Sequence, residues 1–115
     1  MKKVVWLSRH EMTEEQKLSL ENEIGEHTTT TENLLWKASE EFIEDAVANK
    51  AKWCKLAAEY DVICGVFPPV AIEALMLINL GRTLVLTPVS AQVKEERKEG
   101  VQIAFKHLRW VVLNQ

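Results

Sequence analysis

The chain has 115 residues, a formal net charge of −3, 47% hydrophobic and 27% charged residues. That length holds one domain with a small but real core, and no apolar run approaches the ~20 residues of a membrane-spanning helix. The acidic balance argues against a general binder of long nucleic acid, which carries a basic footprint, and leaves room for a small anion held by a few focused cations.

The first element is a strand over Lys3–Leu7, apolar at Val4, Val5, Trp6 and Leu7. Ser8, Arg9 and His10 follow at its tip. Thr13-Glu14-Glu15-Gln16 reads as a capping box that opens a helix with apolar Leu18, Leu20 and Ile24, stopped by Gly25. The threonine-rich stretch His27–Thr31 suits a short polar edge strand, and Leu34, Leu35 and Trp36 supply an apolar anchor after it. Ser39-Glu40-Glu41 opens the longest helical pattern, which ends at Tyr60-Asp61. On it Ile43, Val47, Cys54 and Ala57 form the expected buried stripe, with Trp53 beside it and Glu44, Lys52, Lys55 and Glu59 opposite.

Val62–Phe67 is a continuous apolar run, as a central parallel strand buried on both faces requires. Pro68-Pro69 ends it, and Pro69 fits the first turn of a helix over 70–80 that stops at Gly81. Thr83–Leu86 reads as another buried strand, closed by Thr87-Pro88. Ser90–Gly100 turns charged and reads as a solvated excursion with room for a helical turn. "VQIAFKHLRWVVL", from Val101, alternates as a long antiparallel strand. On that strand Lys106 and Trp110 are expected on one face, His107 and Arg109 on the other.

Strands alternating with helices need crossovers, and crossovers build a parallel sheet covered on both faces. The expected class is α/β, a Rossmann-like three-layer sandwich over residues 1–115, mainly parallel, with an added C-terminal antiparallel strand. Cys54 and Cys64 both read as small buried hydrophobes in a reducing compartment. No small-residue cleavage site follows Met1-Lys2-Lys3, so the expected location is the cytoplasm, without a signal peptide.

Ligands of open parallel sheets sit beyond the carboxyl ends of the strands, where the strand order reverses. The residues there are Ser8-Arg9-His10, Pro68-Pro69 and Thr87-Pro88-Val89-Ser90. Ser8 offers a rotatable donor, Arg9 a planar fork for phosphate, and His10 a proton shuttle, all close to a helix N-terminus. Glu11, Glu14 and Glu15 crowd the same turn and oppose a phosphate placed too near. The plain alternative is that Arg9 pairs with a glutamate and His10 caps a loop. His107 and Arg109 form a second cluster able to complete the anion site, in the same subunit or a partner. Trp6, Trp36 and Trp53 are expected in packing. There is no GxGxxG, P-loop, CxxC, HExxH or GxSxG, and His10, His27 and His107 lack metal-ligand spacing, so neither metal nor cofactor is expected.

The strand ending in Ser8-Arg9-His10, the Thr13-x-x-Gln16 box, "DVICGVFPPVAIEAL", "TLVLTPV" and the C-terminal F-K-H-x-R-W together resemble a group of small CRISPR-associated proteins of type III systems, related to CARF-type domains. The resemblance covers most of the chain and is weakest over residues 26–60. It implies a ring nuclease that cuts a cyclic oligoadenylate, cyclic tetra-adenylate favoured, to linear products with 2′,3′-cyclic phosphate ends, without metal. Ser8, Arg9 and His10 would be its catalytic residues, with His107 second for proton transfer. Ser8, Arg9, Pro68, Pro69, Thr87, His107 and Arg109 would line the ligand. It also implies a homodimer, with the apolar surface of helix 70–80 and the C-terminal strand as candidate interface. A non-catalytic cyclic-nucleotide sponge or sensor, of bacterial or phage origin, is the alternative; a purely structural Ser-Arg-His turn is the third.

Overall fold

A computed structural model describes residues 1–39 and 41–115. Glu40, expected to help open the long helix, lies outside them. In chain order the elements are β1 (Lys2–Leu7), α1 (Glu14–Ile24), β2 (His27–Glu32), α2 (Phe42–Glu59), β3 (Val62–Gly65), α3 (Pro69–Met76), β4 (Leu84–Arg97) and β5 (Gly100–Val112). They form a five-stranded sheet in the order β2-β1-β3-β4-β5. The first three pairings are parallel, and β4 with β5 is antiparallel. The fold is therefore a Rossmann-like α/β sandwich.

Alternation along the central strands divides the core into two layers. Val4, Trp6, Val62, Cys64 and Leu86 pack under Leu20 of α1. Val5, Ile63 and Val85 point the other way, against Trp53 and Leu56 of α2 and Ala71, Ala74 and Leu75 of α3. β1 and β3 are buried on both sides because each has strands beside it and helices above and below. The capping box forms: Thr13 Oγ1 accepts from Gln16 N–H at 3.1 Å, and Gln16 Oε1 accepts from Thr13 N–H at 3.0 Å. A cap of this kind contributes about 1 kcal/mol. Among the described residues no helix is long and apolar enough to cross a membrane.

The buried stripe of α2 is not the expected one. Asp45, Asn49, Trp53 and Leu56 face the core, while Ile43, Val47 and Cys54 are exposed. Two polar residues occupy core positions because the preceding connection satisfies them. Asn49 accepts from Lys37 N–H at 2.7 Å and donates to Lys37 O at 2.9 Å. Asp45 accepts from the Ser39 backbone N–H at 2.6 Å and from the Ser39 hydroxyl at 2.7 Å, which holds its carboxyl below the usual range. Polar character at these positions clasps the β2–α2 connection, a role that periodicity cannot register.

The cysteines likewise divide. Cys64 is buried, and burial pushes its thiol up to about 12, whereas Cys54 is exposed. At neutral pH the native protein is expected to react with a thiol-exchange reagent at Cys54 alone, Cys64 following only in denaturant. Fast reaction of both in the native state would contradict the packing of β3.

The C-terminal third departs most from expectation. β4 does not close at Thr87-Pro88, and Ser90–Gly100 is not a helical excursion; strand pairing continues from Leu86↔Val112 to Arg97↔Gly100. Pro88 is tolerated for a geometric reason. Val85 bonds to Leu113 and Asn114 on the β5 side, while Leu84 bonds to Asp61 on the β3 side. Alternation puts the Pro88 nitrogen on the β3 side, beyond the end of β3, so no ladder bond is lost. The helix expected over 70–80 also ends early, at Met76, where the Leu77 N–H turns back to Ala74 O and Leu75 O.

In β5 the register steps between Val89↔Arg109 and Ser90↔His107, leaving Leu108 as an inserted residue. This bulge overturns the expected faces: His107 lies with Trp110, and both are buried. Their rings are 5.5 Å apart, and His107 Nε2 and the Ser19 hydroxyl of α1 are hydrogen-bonded at 3.0 Å.

Candidate functional site

β1 and β3 are neighbours, and β1 connects outward to β2 while β3 connects toward β4. The strand order therefore reverses between them, at Leu7↔Gly65. Two loops leave this point toward opposite faces of the sheet: Ser8–Thr13 leads to α1, and Val66–Pro68 leads to α3.

The first loop is held in place from below. Trp6 Nε1–H donates to His10 O at 2.8 Å, and the Trp6 ring meets Trp110 edge-on at 5.9 Å. Ser8 N–H donates to Glu32 O at 2.9 Å, and Ser8 Oγ accepts from His10 N–H at 3.2 Å. Ser8 is thus a turn-former, half-buried, with its hydroxyl hydrogen still free to donate. The fixed backbone sends Arg9 and His10 outward, and both are exposed. Among the described residues Arg9 takes part in no ion pair. The pairing of Arg9 with a nearby glutamate does not form: Glu14 meets Lys17 at 3.5 Å, and Glu32 accepts from the Tyr60 hydroxyl at 2.8 Å. Burial, then the Glu32 carboxylate, raises the Tyr60 pKa, so Tyr60 stays a donor and occupies that acid.

Of the other expected residues, Pro68 is the N-cap of α3 and Pro69 its first residue, both exposed beside the β1 loop's strand. Thr87 follows Leu86, which pairs with Cys64, so it stands at the same carboxyl edge, half-buried. Arg109 is exposed on β5, at the far side of β4 from the switch point. His107 is 8% exposed beneath α1, so a role as an open ligand contact does not fit its burial. It connects to the loop through packing: His107 on Trp110, Trp110 on Trp6, Trp6 to His10 O.

Gly65 is the residue that sequence reading missed. A Cβ there would lie 3.2 Å from Phe67 Cε1 and 3.3 Å from Leu7 Cβ and Leu7 O. The close approach of β1 and β3 at the switch point needs this glycine; its place at the end of an apolar strand is the signal. Gly65→Ala is expected to cost about 1–3 kcal/mol through overpacking. Thermal unfolding would register the loss, and an unchanged midpoint would show that the strand ends part freely.

Cavities open away from this loop. One of about 560 Å³ lies at the amino edge of the sheet, by Lys2, Asp61 and Arg82. Another, of about 370 Å³ and mostly apolar, lies between α2 and α3, lined by Phe42, Asp45, Val70 and Leu77 among others. The Arg9 loop is thus an open platform in a single chain: a guanidinium, an imidazole and a hydroxyl on a rigid turn before the N-terminus of α1. Such a platform can bind phosphate and move a proton, and a second surface must close over it to exclude water. Comparison with protein-family models, with curated proteins and with solved structures finds no match for this chain.

Proposed function

We propose that this chain is a metal-independent ring nuclease, cleaving a cyclic oligoadenylate, cyclic tetra-adenylate in the first instance, and so ending type III CRISPR signalling in the cytoplasm. One observation carries the reading: the Arg9 and His10 side chains stand exposed, without an ion pair among the described residues, on a turn pinned by Trp6 at the point where the strand order reverses.

The reaction is a transesterification within the substrate. A ribose 2′-oxygen attacks its adjacent phosphorus, the bond from phosphorus to the 5′-oxygen breaks, and a 2′,3′-cyclic phosphate forms. One proton leaves the 2′-hydroxyl and one reaches the departing 5′-oxygen. The nucleophile belongs to the substrate, so the protein must align it and stabilise phosphoryl charge. Arg9 offers the bidentate cation, and the Ser8 hydroxyl donates to a phosphoryl oxygen. His10 carries the proton. A ring with repeated phosphates suits a two-fold protein, in which two Arg9 loops meet one ligand.

Labelled cyclic tetra-adenylate incubated with the protein in EDTA tests this. Shortened linear products with cyclic phosphate ends are expected. Intact ligand that stays bound makes the chain a sponge or sensor instead, and absence of binding to any cyclic nucleotide leaves the turn a structural loop.

A further inference from the structure

We infer that the outer part of the β4–β5 hairpin joins two copies of this chain face to face, through Val101 and Ile103. β4 runs parallel to β1 and β3 and continues past Leu86, its last residue paired with β3, to Arg97. The hairpin therefore projects as an arm beyond the carboxyl edge. At its base His107 and Trp110 are covered by α1, through Ser19 and Gln16. Past His107 the cover ends, and the same face continues with Phe105 at 71%, Ile103 at 62% and Val101 at 62% exposure. A two-stranded ribbon with one bare apolar row is marginal in water by itself. β5 is also an edge strand of 13 residues. Edges of that length are usually blunted or covered.

Charge selects the occupant. Beside the apolar row stand Gln92, Lys94 and Glu96, which pair across the ribbon with Phe105, Ile103 and Val101. Arg97 and Glu95, on the opposite face, satisfy each other at 2.8 Å. Lys94 and Glu96 have no ion pair among the described residues. A two-fold axis crossing the ribbon at the Glu95↔Gln102 pair sets each Lys94 against Glu96 of the second copy and each Val101 against Ile103. The same axis sets Phe105 over the Lys98–Glu99 turn of the second copy, so the apolar self-pairing rests on Val101 and Ile103. Lys94 to Glu99 holds three acids and three bases, which favours neither nucleic acid nor an anionic membrane. The contact spans about seven residues per strand, roughly 23 Å. A two-stranded contact of that length covers less than the ~800 Å² per partner of a standard interface, so a weak, concentration-dependent dimer is expected. The axis lies at least six residues beyond the level of the Arg9 loop, so it holds the two Arg9 loops roughly 40 Å apart. The arm contact is therefore distinct from any pairing of two loops on one ligand, and its test contains no nucleotide.

Sedimentation velocity over a micromolar concentration series is expected to show a monomer–dimer equilibrium. Ile103→Glu should raise the dissociation constant at least tenfold, with circular dichroism unchanged, while Ala104→Glu on the opposite face leaves it within twofold. Lys94→Glu should weaken the dimer, and Lys94→Glu with Glu96→Lys should recover it. A strictly monomeric wild type, an Ile103→Glu dimer of unchanged affinity, equal loss in Ala104→Glu, or no recovery in the double variant overturns the inference. So does dissociation by Met76→Glu in place of Ile103→Glu, which would put the interface on α3.

Discussion

Trp53→Ala is expected to lower stability by about 3–5 kcal/mol, the range for deleting a buried tryptophan. For a chain of this size that corresponds to a fall in Tm of about 12–20 °C. Trp53 is 0% exposed at the centre of the layer between the sheet and α2 and α3. Its ring lies 4.6 Å from Trp36 and 5.0 Å from Phe67, and its Nε1–H donates to Ala71 O at 2.8 Å. One side chain therefore ties α2 to α3, to the β2–α2 connection and to the segment after β3. Trp53→Phe keeps most of the apolar area and loses the donor, so about 1–2 kcal/mol is expected. Denaturant midpoints measure both variants. A loss below about 1 kcal/mol for the alanine variant would mean that the cluster closes over the gap, contrary to its tight packing.

Arg9→Ala is expected to reduce single-turnover cleavage of cyclic tetra-adenylate by about 10²–10³-fold, as removal of a preorganised charge-stabilising donor does. Stability should move by less than about 0.5 kcal/mol, because the side chain is exposed and makes no ion pair among the described residues. Arg9→Lys keeps the charge without the planar fork and should recover only part of the rate. His10→Ala should lower the rate more than the affinity, since its side chain carries the proton; its backbone bond to Trp6 survives the substitution. Unchanged turnover in Arg9→Ala removes the guanidinium from the mechanism. Equal losses of rate and affinity in His10→Ala make the imidazole a contact only.

These variants act at a place that local sequence signals already marked. The apolar run before Ser8 and the Thr13–Gln16 box put a polar turn between a buried strand and a helix start, and both boundaries form where those residues stand. The misread residues share a different property: their environment is made by partners distant in sequence or by pairing across strands. Asp45 and Asn49 look like surface residues until Ser39 and Lys37 satisfy them. The charged segment after Ser90 looks like a loop because a two-stranded ribbon needs hydrogen bonds from β5 rather than buried side chains. His107 changes faces because one inserted residue, Leu108, shifts a period of two.

By itself, then, the amino-acid order determined the class of fold, the succession of its elements and the turn that carries Arg9 and His10, because hydrophobic period, capping chemistry and proline act over a few residues. Only the tertiary structure decided which face of α2 is buried, how far β4 reaches, that His107 lies under α1, and that the β1 and β3 ends meet closely at Gly65. Those outcomes depend on which groups satisfy and cover one another across the sheet, and no short stretch of chain contains that information.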